Sequence, residues 1–226
     1  MIFLKKTILL TIFFGAVLAI VIFHFFYHED LNIVTLGDHF SLGYTAYDVK
    51  GYSYNDYLRD YFEEESIIKE YITEFAYPEE TTQTLLLKLE NNYILEETSL
   101  SLTQAIAKAK ILTISIGMYE LNHKEHIERE EIEEYLKNMN KILNLIRINN
   151  RKEIFLTSLY ETNKLSKANI KELNESLKEL ASKYQIHYID ITDVPSHKEY
   201  FFNNTSYLIN YQGHKYIKEK ILDQLE

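Results

Sequence analysis

The chain has 226 residues, no cysteine and a formal charge of −10, the composition of an ordinary globular protein with room for one sizeable domain and an appendage. Residues 1–27 hold Lys5 and Lys6 and no acid, leaving 22 bases against 34 acids in the remainder. So acidic a domain repels phosphate backbones, which sets nucleic acid aside as a partner, and the missing thiols exclude disulfides, thiolate nucleophiles and cysteine-ligated zinc.

Thr7 to Tyr27 reads TILLTIFFGAVLAIVIFHFFY, uncharged but for what His24 acquires, and about 20 such residues span a bilayer core. The segment predicts one transmembrane helix, with residues 1–28 as cytoplasmic stub and anchor and residues 29–226 as a single extracytoplasmic domain. Lys5 and Lys6 precede the run while His28, Glu29 and Asp30 follow it, an asymmetry that puts the N-terminus in the cytoplasm and the domain outside. A cleaved signal peptide is the competing reading. Ala16 and Ala19 are its small-residue cleavage candidates, and the run stays apolar through Phe23 beyond them, which favours an uncleaved anchor.

Beyond this point short apolar runs alternate with amphipathic stretches, as strands separated by crossover helices do. Strands are predicted at Leu31–Leu36 (ending at Gly37), Ile67–Phe75, Lys110–Ile116 (ending at Gly117), Glu153–Ser158 and Ile186–Ile191. Helices are predicted at Tyr54–Phe62, Thr81–Asn91, Ser101–Ala109, Ile127–Asn149, Ser166–Tyr184 and from Gln212 onward. In the longest, Ile132, Tyr135, Met139, Ile142 and Ile146 recur at three- and four-residue spacing and define one buried face. Parallel neighbours need crossovers long enough for a helix, so the fold class is α/β: a three-layer α/β/α domain on a five-stranded, mostly parallel, flavodoxin-like sheet. Ligands of such sheets sit beyond the carboxyl ends of the strands, at the point where strand order reverses.

The segment Gly37-Asp38-His39-Phe40-Ser41-Leu42-Gly43 after the first strand resembles the Gly-Asp-Ser-x-x-x-Gly block of the SGNH (GDSL-type) hydrolases. Gly51-Tyr52-Ser53-Tyr54-Asn55-Asp56-Tyr57, Gly117-Met118-Tyr119-Glu120 and Asn210-Tyr211-Gln212-Gly213-His214 follow in that family's order, and the resemblance runs over roughly residues 31–224. It implies the SGNH fold. It also implies an altered site: the nucleophilic serine's place falls on His39, the oxyanion glycine's on Glu79, the oxyanion asparagine's on Tyr119 and its neighbouring aspartate's on Glu120, while the catalytic histidine and its aspartate fall on Leu208 and Thr205. Asp38 and the glycines Gly37, Gly43, Gly117 and Gly213 remain, and strand-end glycines serve the backbone rather than the reaction.

Ester hydrolysis by this route needs a hydroxyl nucleophile, an imidazole to take its proton and a carboxylate to orient the imidazole. Leu208 can relay no proton, and a carboxylate at Glu79 would repel an oxyanion that needs donors. Ser41 lies two residues past the nucleophile position, where a turn become helix points its hydroxyl elsewhere. A metal held by His39, Glu79, Glu120 and His123 lacks any short ligand spacing, and a lone His39 as covalent nucleophile is a poorer reading than a degenerate site. The 19 tyrosines suit a sugar- or peptide-binding groove or, more plainly, half-buried positions. Glu63-Glu64-Glu65 and His123 to Glu134 read as solvated faces. The expectation is a non-catalytic, membrane-tethered binding or scaffolding module at the cell envelope, without cofactor or metal, whose partners are the membrane and an envelope glycan, lipid or protein. The rival is an active acyl hydrolase on envelope glycans or lipids using a rearranged site.

Overall fold

The computed structural model describes residues 31–65, 67–124, 127–203 and 206–225. The segment expected to be an anchor and Thr205 lie outside these residues. Among the described residues no helix is long and apolar enough to cross a membrane.

Five strands form one sheet: β1 (Leu31–Gly37), β2 (Ile68–Ile72), β3 (Ile111–Ser115), β4 (Glu153–Thr157) and β5 (His187–Ile189). Their order is β2-β1-β3-β4-β5 and every pairing is parallel. The expected five strands are all present. β2 is shorter than its apolar run, and residues 73–80 instead form the loop that climbs over the end of β1.

The helices are α1 (Tyr54–Glu64), α2 (Thr82–Glu90), α3 (Leu102–Lys108), α4 (Met118–Asn122), α5 (Arg129–Asn149), α6 (Lys167–Lys183) and α7 (Tyr211–Leu222). Ser53, Thr81 and Ser101 start α1, α2 and α3 as reciprocal capping boxes with Asp56, Thr84 and Gln104, satisfying orphan amides at each first turn. α5 packs against α2, α3 and α6 in one layer, and α1 packs against α7 in the other. The predicted stripe of α5 is buried, with Asn138 and Leu143 added to it. Ile33, Val34, Leu36, Leu112, Ile114, Ile154, Phe155 and Leu156 give the sheet its apolar centre, which parallel strands covered on both faces require.

Strand order reverses between β1 and β3, because the chain leaves β1 toward β2 and then returns to the far side. The carboxyl ends of these two strands carry Asp38, His39 and Gly117.

Candidate functional site

Asp38 holds the switch point together. Its backbone amide donates to Ser115 O at 3.1 Å. Its fully buried carboxylate accepts from the amides of Phe40 (3.0 Å), Gly117 (3.2 Å) and Tyr119 (2.9 Å). Burial pushes the carboxyl up to about 7 against these three donors, with a small contribution from the Glu120 charge. Asp38 thus pins the first turn of α4 to the end of β1. That short helix is absent from the helices the sequence predicts, since five residues carry too little periodicity to register.

Left-handed backbone makes this close approach possible. Gly37 has φ of 135°, and a Cβ there would stand 1.8 Å from the Ser115 carbonyl oxygen. Gly43 and Gly117 are left-handed as well. Gly213 is a correction to the group: it lies inside α7 with an ordinary φ, and is small because Ile209 packs against it. Gly37 alone closes a strand.

His39 occupies the position following this anchor point and is 9% exposed. Its amide donates to the Pro78 carbonyl at 3.0 Å. Its Nε2 lies 2.9 Å from the Tyr207 hydroxyl, while its Nδ1 is buried without a hydrogen-bond partner. The rings of Tyr44, Tyr119 and Tyr207 stand edge-on to the imidazole, at centroid distances of 6.3, 5.1 and 5.8 Å, and His123 lies at 6.1 Å. Burial and the neighbouring His123 lower the His39 pKa to about 4, so the ring is neutral at physiological pH. Burial raises the phenol of Tyr207 well above its ordinary range.

Of the other aligned positions, Tyr119 stays beside the His39 ring, and the charge of Glu79, after burial, helps raise its phenol. Glu79 is exposed on the loop after β2. Glu120 turns to the start of α2, where its carboxylate accepts from the Thr82 amide at 2.7 Å and hydroxyl at 3.0 Å, and burial raises its pKa. Leu208 is buried beside Tyr207, its amide capped by Ser206 Oγ at 2.9 Å. The rings of Tyr119 and His123 lie 4.1 Å apart, tilted by 35°, with His123 Nδ1 hydrogen-bonded to the Tyr119 carbonyl. The imagined set of His39, Glu79, Glu120 and His123 therefore does not assemble, and no group of three His, Asp or Glu side chains is placed to hold a metal among the described residues.

Ser41 is buried, its hydroxyl donating to Asp38 O at 2.7 Å. It sits in a turn rather than the helix expected there, since α1 begins only at Tyr54. Asn55 fixes this turn from below: Nδ2 donates to Ser41 O at 2.9 Å and Oδ1 accepts from Thr113 Oγ1 at 2.7 Å. Tyr54, Ser115 and Thr157 continue the buried hydroxyl chain under the site at 2.6 and 2.7 Å. His214 is likewise structural. It accepts from the Tyr54 amide at 3.3 Å through Nδ1, and burial lowers its pKa to about 3.

Tyr207 and Tyr44 were missed by sequence reasoning. The one available signal was that Tyr207 adjoins the position aligned with the catalytic histidine. A surface groove of about 370 Å³ lined by Glu161, Thr162, Pro195, Phe201, Asn203 and Ser206 opens beside the Tyr207 loop. Another, of about 390 Å³, runs between α6 and Tyr188, Asp190 and Thr192. The first matters more here, because it adjoins the residue that closes over His39.

The fold is similar to those of solved hydrolases. A psychrotrophic esterase from Pseudoalteromonas sp., in a structure inhibited by monoethylphosphonate, superimposes with a TM-score of 0.62 at 16% identity, covering 87% of this chain and 97% of that one. A lipase/acylhydrolase from Enterococcus faecalis gives 0.63 at 15% identity, covering 86% and 95%. A member of the lipolytic G-D-S-L family from Veillonella parvula gives 0.59 at 15% identity, covering 85% and 97%. No functionally curated protein matches the sequence. The model of the GDSL-like lipases and acylhydrolases matches residues 33–221, which takes in β2 to β5, all of β1 but its first two residues and the Asp38 switch point, and the chain belongs to that family.

Proposed function

We propose that this chain is a membrane-anchored, extracytoplasmic member of its family whose site has given up ester hydrolysis and serves binding or scaffolding at the cell envelope. The surroundings of His39 carry this reading. The residue after Gly37-Asp38 is an imidazole instead of a hydroxyl, its amide is occupied by the Pro78 carbonyl, and its Nδ1 has no carboxylate behind it. An amide already satisfied by a carbonyl offers nothing to a developing oxyanion. A neutral histidine without an orienting acid lacks the partner that steadies it as a base. Leu208, aligned with the family's base, is hydrocarbon. The groove beside Tyr207 supplies a concave surface for an envelope glycan, lipid or protein. The apolar run from Thr7 to Tyr27 supports the anchor.

One contact favours the second reading, an acyl hydrolase with a rearranged site. Tyr207 and His39 do place a hydroxyl and an imidazole 2.9 Å apart, the separation that nucleophile and base require. The full chain in detergent, assayed with p-nitrophenyl acetate beside His39→Ala and Tyr207→Phe, decides between the two. The binding reading expects no turnover above background in any of the three. Turnover in the native chain that either substitution abolishes establishes the hydrolase instead.

A further inference from the structure

The domain is acidic as a whole, yet the rim at the amino ends of β3 and β4 is basic. Lys108 and Lys110 lead into β3, and Arg151 and Lys152 lead into β4. Arg147, at the end of α5, spends its guanidinium on backbone carbonyls: those of Tyr184 (2.7 Å), Asn150 (3.3 Å), Lys152 (3.2 Å) and Gln185. Carbonyls orient a guanidinium without cancelling its charge. Lys110 and Lys152 lie close enough that, after desolvation, the charge of Lys152 holds the Lys110 ammonium below its ordinary range. Glu153 is the nearby acid, and it is engaged with His187 at 2.6 Å.

Two further observations concern the same rim. Ile148, between Arg147 and the Arg151 turn, is 67% exposed, and it shares a surface groove with Asn144, Arg147, Arg151 and Gln185. An apolar side chain among cations is the composition of surfaces that lie on anionic lipid. The rim is also where the chain enters the domain. The Lys110 amide donates to Asn32 O at 2.9 Å and Asn32 Nδ2 to Lys108 O at 3.3 Å, so these lysines flank the first residues of β1. Only residues 28–30 separate Tyr27 from Leu31, a link that reaches at most about 14 Å.

We propose that the rim formed by Lys108, Lys110, Arg147, Ile148, Arg151 and Lys152 rests on the anionic leaflet into which the N-terminal apolar segment inserts, turning the carboxyl-end site toward the envelope. This rests on the reading of residues 7–27 as an anchor. The acids elsewhere do not oppose it, since a Debye length of about 8 Å at physiological ionic strength screens charges on the far side of the domain. Glu63, Glu64 and Glu65 do stand at the same rim, before β2 on the other side of β1. Their repulsion tilts the domain so that the β3–β4 side lies down and the β2 side lifts.

The absence of native cysteine makes the test direct. Full-length single-cysteine variants Asn144→Cys, Glu64→Cys and Phe202→Cys, each carrying a fluorophore, are reconstituted in phosphatidylcholine vesicles with or without phosphatidylglycerol, with a headgroup-level quencher lipid. With phosphatidylglycerol, quenching at 144 exceeds that at 64 and 202. The excess disappears in pure phosphatidylcholine, in salt that shortens the Debye length to about 3 Å, and in the triple variant Lys108→Glu/Arg151→Glu/Lys152→Glu. Equal quenching at all three positions, or an excess at 144 that survives the charge reversals, overturns the proposal while leaving the anchor intact. Release of the chain by an alkaline carbonate wash removes the anchor and the proposal together.

Discussion

Tyr207 reaches across 168 residues of chain to set its phenol oxygen 2.9 Å from Nε2 of His39. This bond joins the last loop before α7 to the turn after β1, and closes aromatic side chains over the switch point of the sheet.

Removing one side of this pair costs more than removing both. Tyr207→Phe leaves both imidazole nitrogens buried without partners, and an unsatisfied buried polar group costs about 1–3 kcal/mol. The double variant Tyr207→Phe/His39→Leu withdraws the polar ring as well and recovers part of the loss. Urea unfolding of the two single variants and the double variant gives the coupling directly.

Stability falls with acidity below neutral pH. His39 and His214 have folded values of about 4 and 3 against an ordinary 6.5, so between pH 6.5 and 4 the unfolded chain binds two protons there that the native chain does not. Asp38 works the other way: raised from 3.8 to about 7, it holds a native proton over the same interval. The balance is one proton in favour of the unfolded state, so stability drops as pH falls, by about 1.4 kcal/mol per unit at most. Urea midpoints at pH 7, 6 and 5 check the sign. In His214→Gln the two remaining groups cancel and the slope flattens.

Gly37→Ala prevents stable folding. The added Cβ meets the Ser115 carbonyl at 1.8 Å on a backbone with φ of 135°, and neither the strand pairing of β1 with β3 nor the left-handed bend can yield. The expected loss is about 3 kcal/mol or more, read as failure to accumulate soluble protein or a collapsed thermal midpoint. Gly51→Ala, where φ is ordinary and Gly43 O stands 3.1 Å away, is far milder.

Glu120→Ala frays the start of α2. The substitution takes two bonds from Thr82 and removes a negative charge from a helix N-terminus, for a combined cost of about 1–3 kcal/mol. Hydrogen exchange of the amides from Thr82 onward rises locally, while α1 and α7, in the other layer, keep their protection.

Much of the framework was legible because periodicity and capping are local. The five strands, the α5 stripe and the helix starts at Ser53, Thr81 and Ser101 follow from residues within a few positions of one another. Alignment of short motifs located His39, Tyr119 and Leu208 at or near the carboxyl ends, but it misassigned company. Glu120 is next to Tyr119 in sequence, yet it is drawn away by the amide and hydroxyl at the start of α2, whereas Glu79, distant in sequence and exposed, stays near enough for its charge to help raise the Tyr119 phenol. Gly213, grouped with the strand-end glycines, is a packing glycine inside α7.

The amino-acid order by itself determined the alternation of strands and helices, the acidic charge of the domain and the histidine that directly follows Gly37-Asp38. Only the tertiary structure decided that Asp38 would gather three amides, that Pro78 would take the His39 amide, and that Tyr207 would cover the ring. Those outcomes depend on which loops meet above a sheet once it has assembled, and contacts between residues 168 apart leave no periodic trace in the chain.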